Sequence, residues 1–125
     1  MNKQREIKFR AWVWDKNNKD LVPKMIYQIG EMANGLPILK DFEQYSGLEL
    51  MQYTGLKDKK NLTEIYEGDI ISDGVSKSLI AKNLFHNNFG IVDLPLQEQC
   101  REFDVEYLKK CGVIGNIYEN PNLLK

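Results

Sequence analysis

The chain has 125 residues, 42% of them apolar and 28% charged, a balance that suits a folded globular protein and argues against a disordered or fibrous one. The formal net charge of −1 excludes a global basic field that would attract nucleic acid or anionic lipid. Two cysteines, Cys100 and Cys111, and one histidine, His86, provide neither a zinc-ligand spacing nor a disulfide framework, which suits a reducing compartment.

The segment Glu6-Ile-Lys-Phe-Arg-Ala-Trp-Val-Trp-Asp15 alternates with period two. Ile7, Phe9, Ala11 and Val13 fall on one face, and Lys8, Arg10, Trp12 and Trp14 on the other, as in a half-buried strand. Asp15 to Asp20 is a polar turn, and Asn17-Asn18 tolerates the positive φ of tight hairpin turns. Leu21 to Tyr27 supplies the returning strand, so the first 27 residues predict a β-hairpin. Charge is concentrated here: residues 1–24 carry seven basic and three acidic side chains, against ten and fifteen over the rest. Such asymmetry suits a lysine-guarded edge strand, and it also suits head-to-tail association.

Residues 28–47, punctuated by Gly30, Gly35, Pro37 and Gly47, predict a long irregular connection. Leu48 to Thr54 predicts a strand, followed by a charged turn from Gly55 to Asn61. Ile65-Tyr66 and Ile70-Ile71 flank Glu67-Gly68-Asp69, a turn that calls for positive φ at Gly68 and whose acids are expected to face solvent. Leu79 to Phe85 and Phe89 to Asp93 predict a second hairpin around Asn87-Asn88. Leu96, Cys100, Phe103, Tyr107 and Cys111 recur at helical spacing. Pro95 suits the start of a helix over 95–111 and Gly112 its end. Across such a helix the two cysteines would stand about 16 Å apart, too far for a disulfide. Val113 to Tyr118 predicts a closing strand, broken by Asn120-Pro121.

The expected fold is mainly β, a β-rich α+β arrangement. An N-terminal β-hairpin packs with a small SH3-like β-barrel, whose closure would remove exposed edges. The chain reads as one compact domain over 1–125, divisible into a hairpin region, 1–47, and a barrel region, 48–125. The opening MNKQREIKFRAW has no apolar core of signal-peptide length, and no apolar run is long enough to span a bilayer. A cytoplasmic location is expected, with no membrane partner.

Candidate chemistry is sparse. Asp58, Glu64, Glu67, Asp69 and Asp73 could hold a divalent cation if they converged, but their spacing matches no metal loop, so no metal and no cofactor are expected. Lys8, Arg10, Trp12 and Trp14 interleave cations with aromatics, the pattern that stacks bases and neutralises phosphates. The same pattern also builds packed or subunit-contact faces. His86 lies at a hairpin tip with no nucleophile framing it. Cys100 and Cys111 lie on an apolar face, as inert thiols do. Gly112 and Gly115 lack the context of a phosphate loop. Asn116 and Asn120 fit a role in bracing the terminal turn.

Four blocks carry a family resemblance: Arg5-Glu-Ile-Lys-Phe-Arg-Ala-Trp12, Leu50-Met-Gln-Tyr-Thr-Gly-Leu-Lys-Asp-Lys59, Glu64-Ile-Tyr-Glu-Gly-Asp-Ile70 and Val113-Ile-Gly-Asn-Ile-Tyr-Glu-Asn-Pro121. Together, and in this order, they resemble YopX-family proteins. The resemblance covers about a third of the chain and implies phage or prophage origin and a mostly β fold; it implies no reaction. The chain departs from the pattern after Asp58-Lys59-Lys60, where Asn61-Leu62-Thr63 replaces a glycine-containing turn, and residues 72–110 match no block.

The expected function is that of a non-enzymatic phage or prophage binding or regulatory protein that self-associates. A host or phage protein is a further possible partner. The alternative is a nucleic-acid-associated protein using the Lys8, Arg10, Trp12 and Trp14 face. A metal-dependent nuclease stands a distant third.

Overall fold

A computed structural model of the chain describes residues 8–17, 20, 22–27, 45–60, 62–83, 88–95, 101–102 and 105–124. The chain divides into two units, Met1–Tyr53 and Thr54–Lys125. The described residues of each lie mainly in antiparallel strands.

In the first unit, β1 (Phe9–Trp14) pairs with β2 (Lys24–Ile26) on one side. Its other side pairs with the opening of β3 (Gly47–Lys57). The predicted hairpin is present, with Ala11 opposite Ile26 and Val13 opposite Lys24. Asp15 Oδ1 accepts the Asn17 amide (3.0 Å), as an Asx turn requires, and Lys16 donates its amide to Ser46 Oγ (2.8 Å). Alternation sets the burial: Ala11 and Val13 are fully enclosed, with Phe9, Ile26 and Tyr45 packed against them. The irregular connection predicted for 28–47 lies outside the described residues up to position 44, and Gly47 opens β3.

In the second unit β3 continues through Thr54 to Lys57, so the strand runs through what the sequence presents as a charged turn. Gly55 accommodates this with φ 89°. Thr54 Oγ1 donates to the Ile65 carbonyl (2.7 Å) and ties β3 to β4 (Glu64–Tyr66). A five-stranded sheet follows in the order β8-β7-β6-β5-β9. Its members are β5 (Asp69–Ser72), β6 (Lys77–Asn83), β7 (Asn88–Asp93), β8 (Arg101–Glu102) and β9 (Gly112–Asn116). Ile65, Ile71, Ile80, Ile91, Leu108 and Cys111 form its core, joined by Tyr107 and Val113.

A second hairpin is present, but Asn88, expected at its turn, already belongs to β7 and stands opposite Asn83; residues 84–87, with His86 and Asn87, lie outside the described residues. Gly68 has φ 89°, the left-handed conformation its turn calls for. Of the helix expected over 95–111, the described residues show only α1 (Val105–Leu108) as helical. Arg101–Glu102 instead extends the sheet, paired with Ile91 and Gly90 of β7. The unsatisfied edge of β7 outcompetes helical periodicity there, because a ladder answers backbone groups that would otherwise stay open. Pro95 belongs to a turn with a cis Leu94–Pro95 bond, and Gly112 opens β9 rather than ending a helix. Cys100 falls outside the described residues, while Cys111 is a buried free thiol.

Candidate interaction surface

Lys8, Arg10, Trp12 and Trp14, which the sequence leaves open as either a contact face or a packed one, are brought to one face of β1, and that face is largely closed. Residues directly opposite in an antiparallel pair share a face. Arg10 therefore lies with Met51, and Trp12 with Met25 and Glu49. Arg10 is only 2% exposed, and its guanidinium lies 5.8 Å from the Tyr27 ring centre. Lys8 Nζ stands 4.7 Å from the centre of the Tyr53 ring. Trp14 lies across Gly47, where any Cβ would overlap the indole. Both cations are thus engaged with aromatic rings of the same unit, contacts worth about 0.5–2 kcal/mol each depending on desolvation. The alternation that marks the strand does not reveal this, because the partners Tyr27, Gly47, Met51 and Tyr53 come from other strands and loops.

The opposite face of the same sheet is different. Leu48 and Leu50 pair with Val13 and Ala11, so they share the face of the small buried cluster, yet they are 40% and 43% exposed. The other side of β3 carries Met51 and Tyr53, both buried. β3 therefore has apolar residues on both faces, one covered and one open. That two-sided pattern, Leu48-x-Leu50 against Met51-x-Tyr53, was the available signal in the sequence, since a strand with one solvated face normally alternates apolar with polar.

The acidic residues do not gather into a centre. Among the described residues no group of three histidine, cysteine or acidic side chains is placed to hold a metal ion. Asp58 is 1% exposed; its Oδ2 accepts the Val113 amide (2.9 Å) and its Oδ1 the Thr63 amide (3.3 Å). Asp69 corrects the expectation of solvent-facing acids. It is 1% exposed, and its Oδ2 accepts the Tyr66 amide across the Gly68 turn (2.7 Å). Asp73 Oδ1 accepts the amides of Val75 (2.9 Å) and Ser76 (2.8 Å). These bonds hold its carboxyl below the ordinary carboxylate value, the Ser76 amide contributing most and Val75 next. Asp69 and Asp73 each serve their own turn, and Asp58 ties its turn to β9.

Asn116 and Asn120 brace the terminal turn as anticipated. Asn116 Oδ1 accepts the amides of Tyr118 (3.1 Å) and Glu119 (2.9 Å), and Asn116 donates its own amide to Asn120 Oδ1 (3.1 Å). Three of the four sequence blocks that carry the family resemblance meet here. Asp58 of the second holds Val113 of the fourth, and Gly68 of the third accepts the Ile117 amide of the fourth (3.0 Å). These residues build the fold's joints.

A second polar network surrounds Tyr107, whose hydroxyl lies 3.1 Å from Ser78 Oγ and 3.3 Å from Ser76 Oγ. Ser78 Oγ in turn donates to Asp93 Oδ1 (3.2 Å). Burial pushes the Tyr107 phenol upward, against the lowering effect of the two serines. The network fastens the loop before β6 to α1.

No helix among the described residues is long and apolar enough to cross a membrane. A comparison with curated proteins gives no match. The family model described as YopX protein matches residues 8–125, nearly the whole length. With a mostly β fold whose joints coincide with the sequence blocks, the chain belongs to the YopX family.

Proposed function

We propose that this chain is a non-enzymatic binding or regulatory protein of phage or prophage origin that works in the bacterial cytoplasm as a homo-oligomer. The observation that carries the reading is the pair Leu48 and Leu50, two large apolar side chains open on a sheet face that is otherwise a packed cluster. Neighbouring apolar side chains left in water favour burial against another surface, each contributing about 1.5–3 kcal/mol when fully covered. An SH3-like closure of the second unit fits the same reading as a scaffold.

The nucleic-acid alternative draws less support, because Arg10 is enclosed and Lys8 is engaged on Tyr53. It would require salt-sensitive binding that Trp12→Ala and Arg10→Ala weaken. The nuclease reading would require cleavage lost on neutralising Glu67 or Asp69, and Asp69 is already committed to the Tyr66 amide. Multi-angle light scattering tests the proposal directly: an oligomer that Leu48→Glu with Leu50→Glu dissociates supports it, and a monomer at all concentrations overturns it.

A further inference from the structure

We infer that Asp58 and Asn120 guard the free edge of β9 against pairing with a second copy of the chain. β9 ends the five-stranded sheet, with β5 on its inner side. An end strand with open amides and carbonyls is a template for another chain. Here two of those amides and one carbonyl are already occupied. Asp58 Oδ2 takes the Val113 amide at 2.9 Å, and Asn120 Oδ1 takes the Asn116 amide at 3.1 Å. The Asn116 carbonyl accepts the Asn120 amide at 2.9 Å.

Two side-chain oxygens thus stand where the carbonyls of an incoming strand would sit. The carboxamide lies so close to the strand that a Cβ at Gly115 would stand 2.5 Å from Asn120 Oδ1, so only glycine admits it. The strand is also bulged. Ile70 faces Gly115 whereas Ile71 faces Val113, which leaves Ile114 without a counterpart. The capped amides are therefore three residues apart, out of step with the two-residue repeat of a regular strand. A buried carboxylate is a costly acceptor where a neutral group would serve. At an edge it has a second effect: any strand that displaces it must leave a charge without its amides.

The inference is independent of the Leu48–Leu50 surface and is tested with that surface silenced. In the Leu48→Glu, Leu50→Glu background, two further variants are compared with that parent by light scattering across concentration. One carries Asn120→Ala, the other Asn120→Ala with Asp58→Ala. We expect both to keep the strand signal in circular dichroism and the double variant to show about a doubling of weight-average mass over the parent. Adding Val113→Pro, which deletes the freed outward donor and is tolerated on an edge strand, should return the mass to that of the parent. If the double variant fails to fold, Asn120→Ala decides alone. A folded double variant with the parent's mass overturns the inference, as does a folded Asn120→Ala with the parent's mass where the double variant does not fold. So does assembly that survives Val113→Pro, and so does loss of fold in both variants, which would make the two side chains scaffold residues only. Since every reading is relative to the parent, an oligomeric parent would count against the Leu48–Leu50 surface without touching the β9 edge.

Discussion

Trp14 and Gly47 face one another across β1 and β3, and the indole fills the space that a side chain at position 47 would need. The glycine weakens its strand locally, and the indole lies over the backbone it leaves bare. Gly47→Ala should displace the indole and destabilise the first unit by about 1–3 kcal/mol, the usual cost of overpacking. A red-shifted tryptophan emission with a lower urea midpoint is the expected readout.

Asp58 joins two segments far apart in sequence through the Val113 and Thr63 amides. Asp58→Ala should cost about 2–4 kcal/mol, because buried amides lose their acceptor. Asp58→Asn keeps one acceptor oxygen and should cost about half as much. Equilibrium urea unfolding measures both, and faster amide exchange at Val113 should accompany them.

Leu62 has φ 57° and is 71% exposed, so it takes a left-handed conformation without burying its side chain. It follows the charged Asp58-Lys59-Lys60 stretch. A left-handed, non-glycine residue costs about 1–2 kcal/mol, partly offset on replacement by the greater freedom glycine has when unfolded. Leu62→Gly should therefore stabilise the chain by about 0.5–1 kcal/mol. Thermal unfolding checks the sign.

The Asp73 carboxyl is held below its ordinary value of 3.8 by the Ser76 and Val75 amides. A depressed carboxyl contributes its stabilisation in full above the ordinary value and loses it as pH falls through the lowered one. The loop from Asp73 to Ser76 should therefore stay closed at pH 5 to 7 and open only in stronger acid. Carboxyl titration by NMR should place Asp73 below 3.8, with the Val75 and Ser76 amides shifting in step.

Much of this architecture was legible from periodicity and turn chemistry. The alternation from Phe9 to Trp14 gave β1, and Gly68 between two acids marked a left-handed turn. Asn116 and Asn120 read as braces. What stayed hidden depends on partners distant in sequence. Arg10 reads equally as a contact cation or as part of a packed face until Tyr27 and Met51 are set beside it. Asp58 reads as part of a charged turn until Val113 reaches it. The helical spacing through Cys100 and Cys111 could not register that Arg101 and Glu102 would be drawn into pairing with β7. Leu48 and Leu50 were visible as strand residues, but only the register shows which face they share.

The account rests on the open Leu48–Leu50 face serving as the contact between copies. Light scattering on the wild-type chain and on the Leu48→Glu, Leu50→Glu variant, at matched concentration and with matched circular dichroism, measures this most directly. A defined oligomer that falls to a single chain in the folded variant is the outcome expected. A wild-type chain that stays single, or a variant that keeps the wild-type mass, would contradict it.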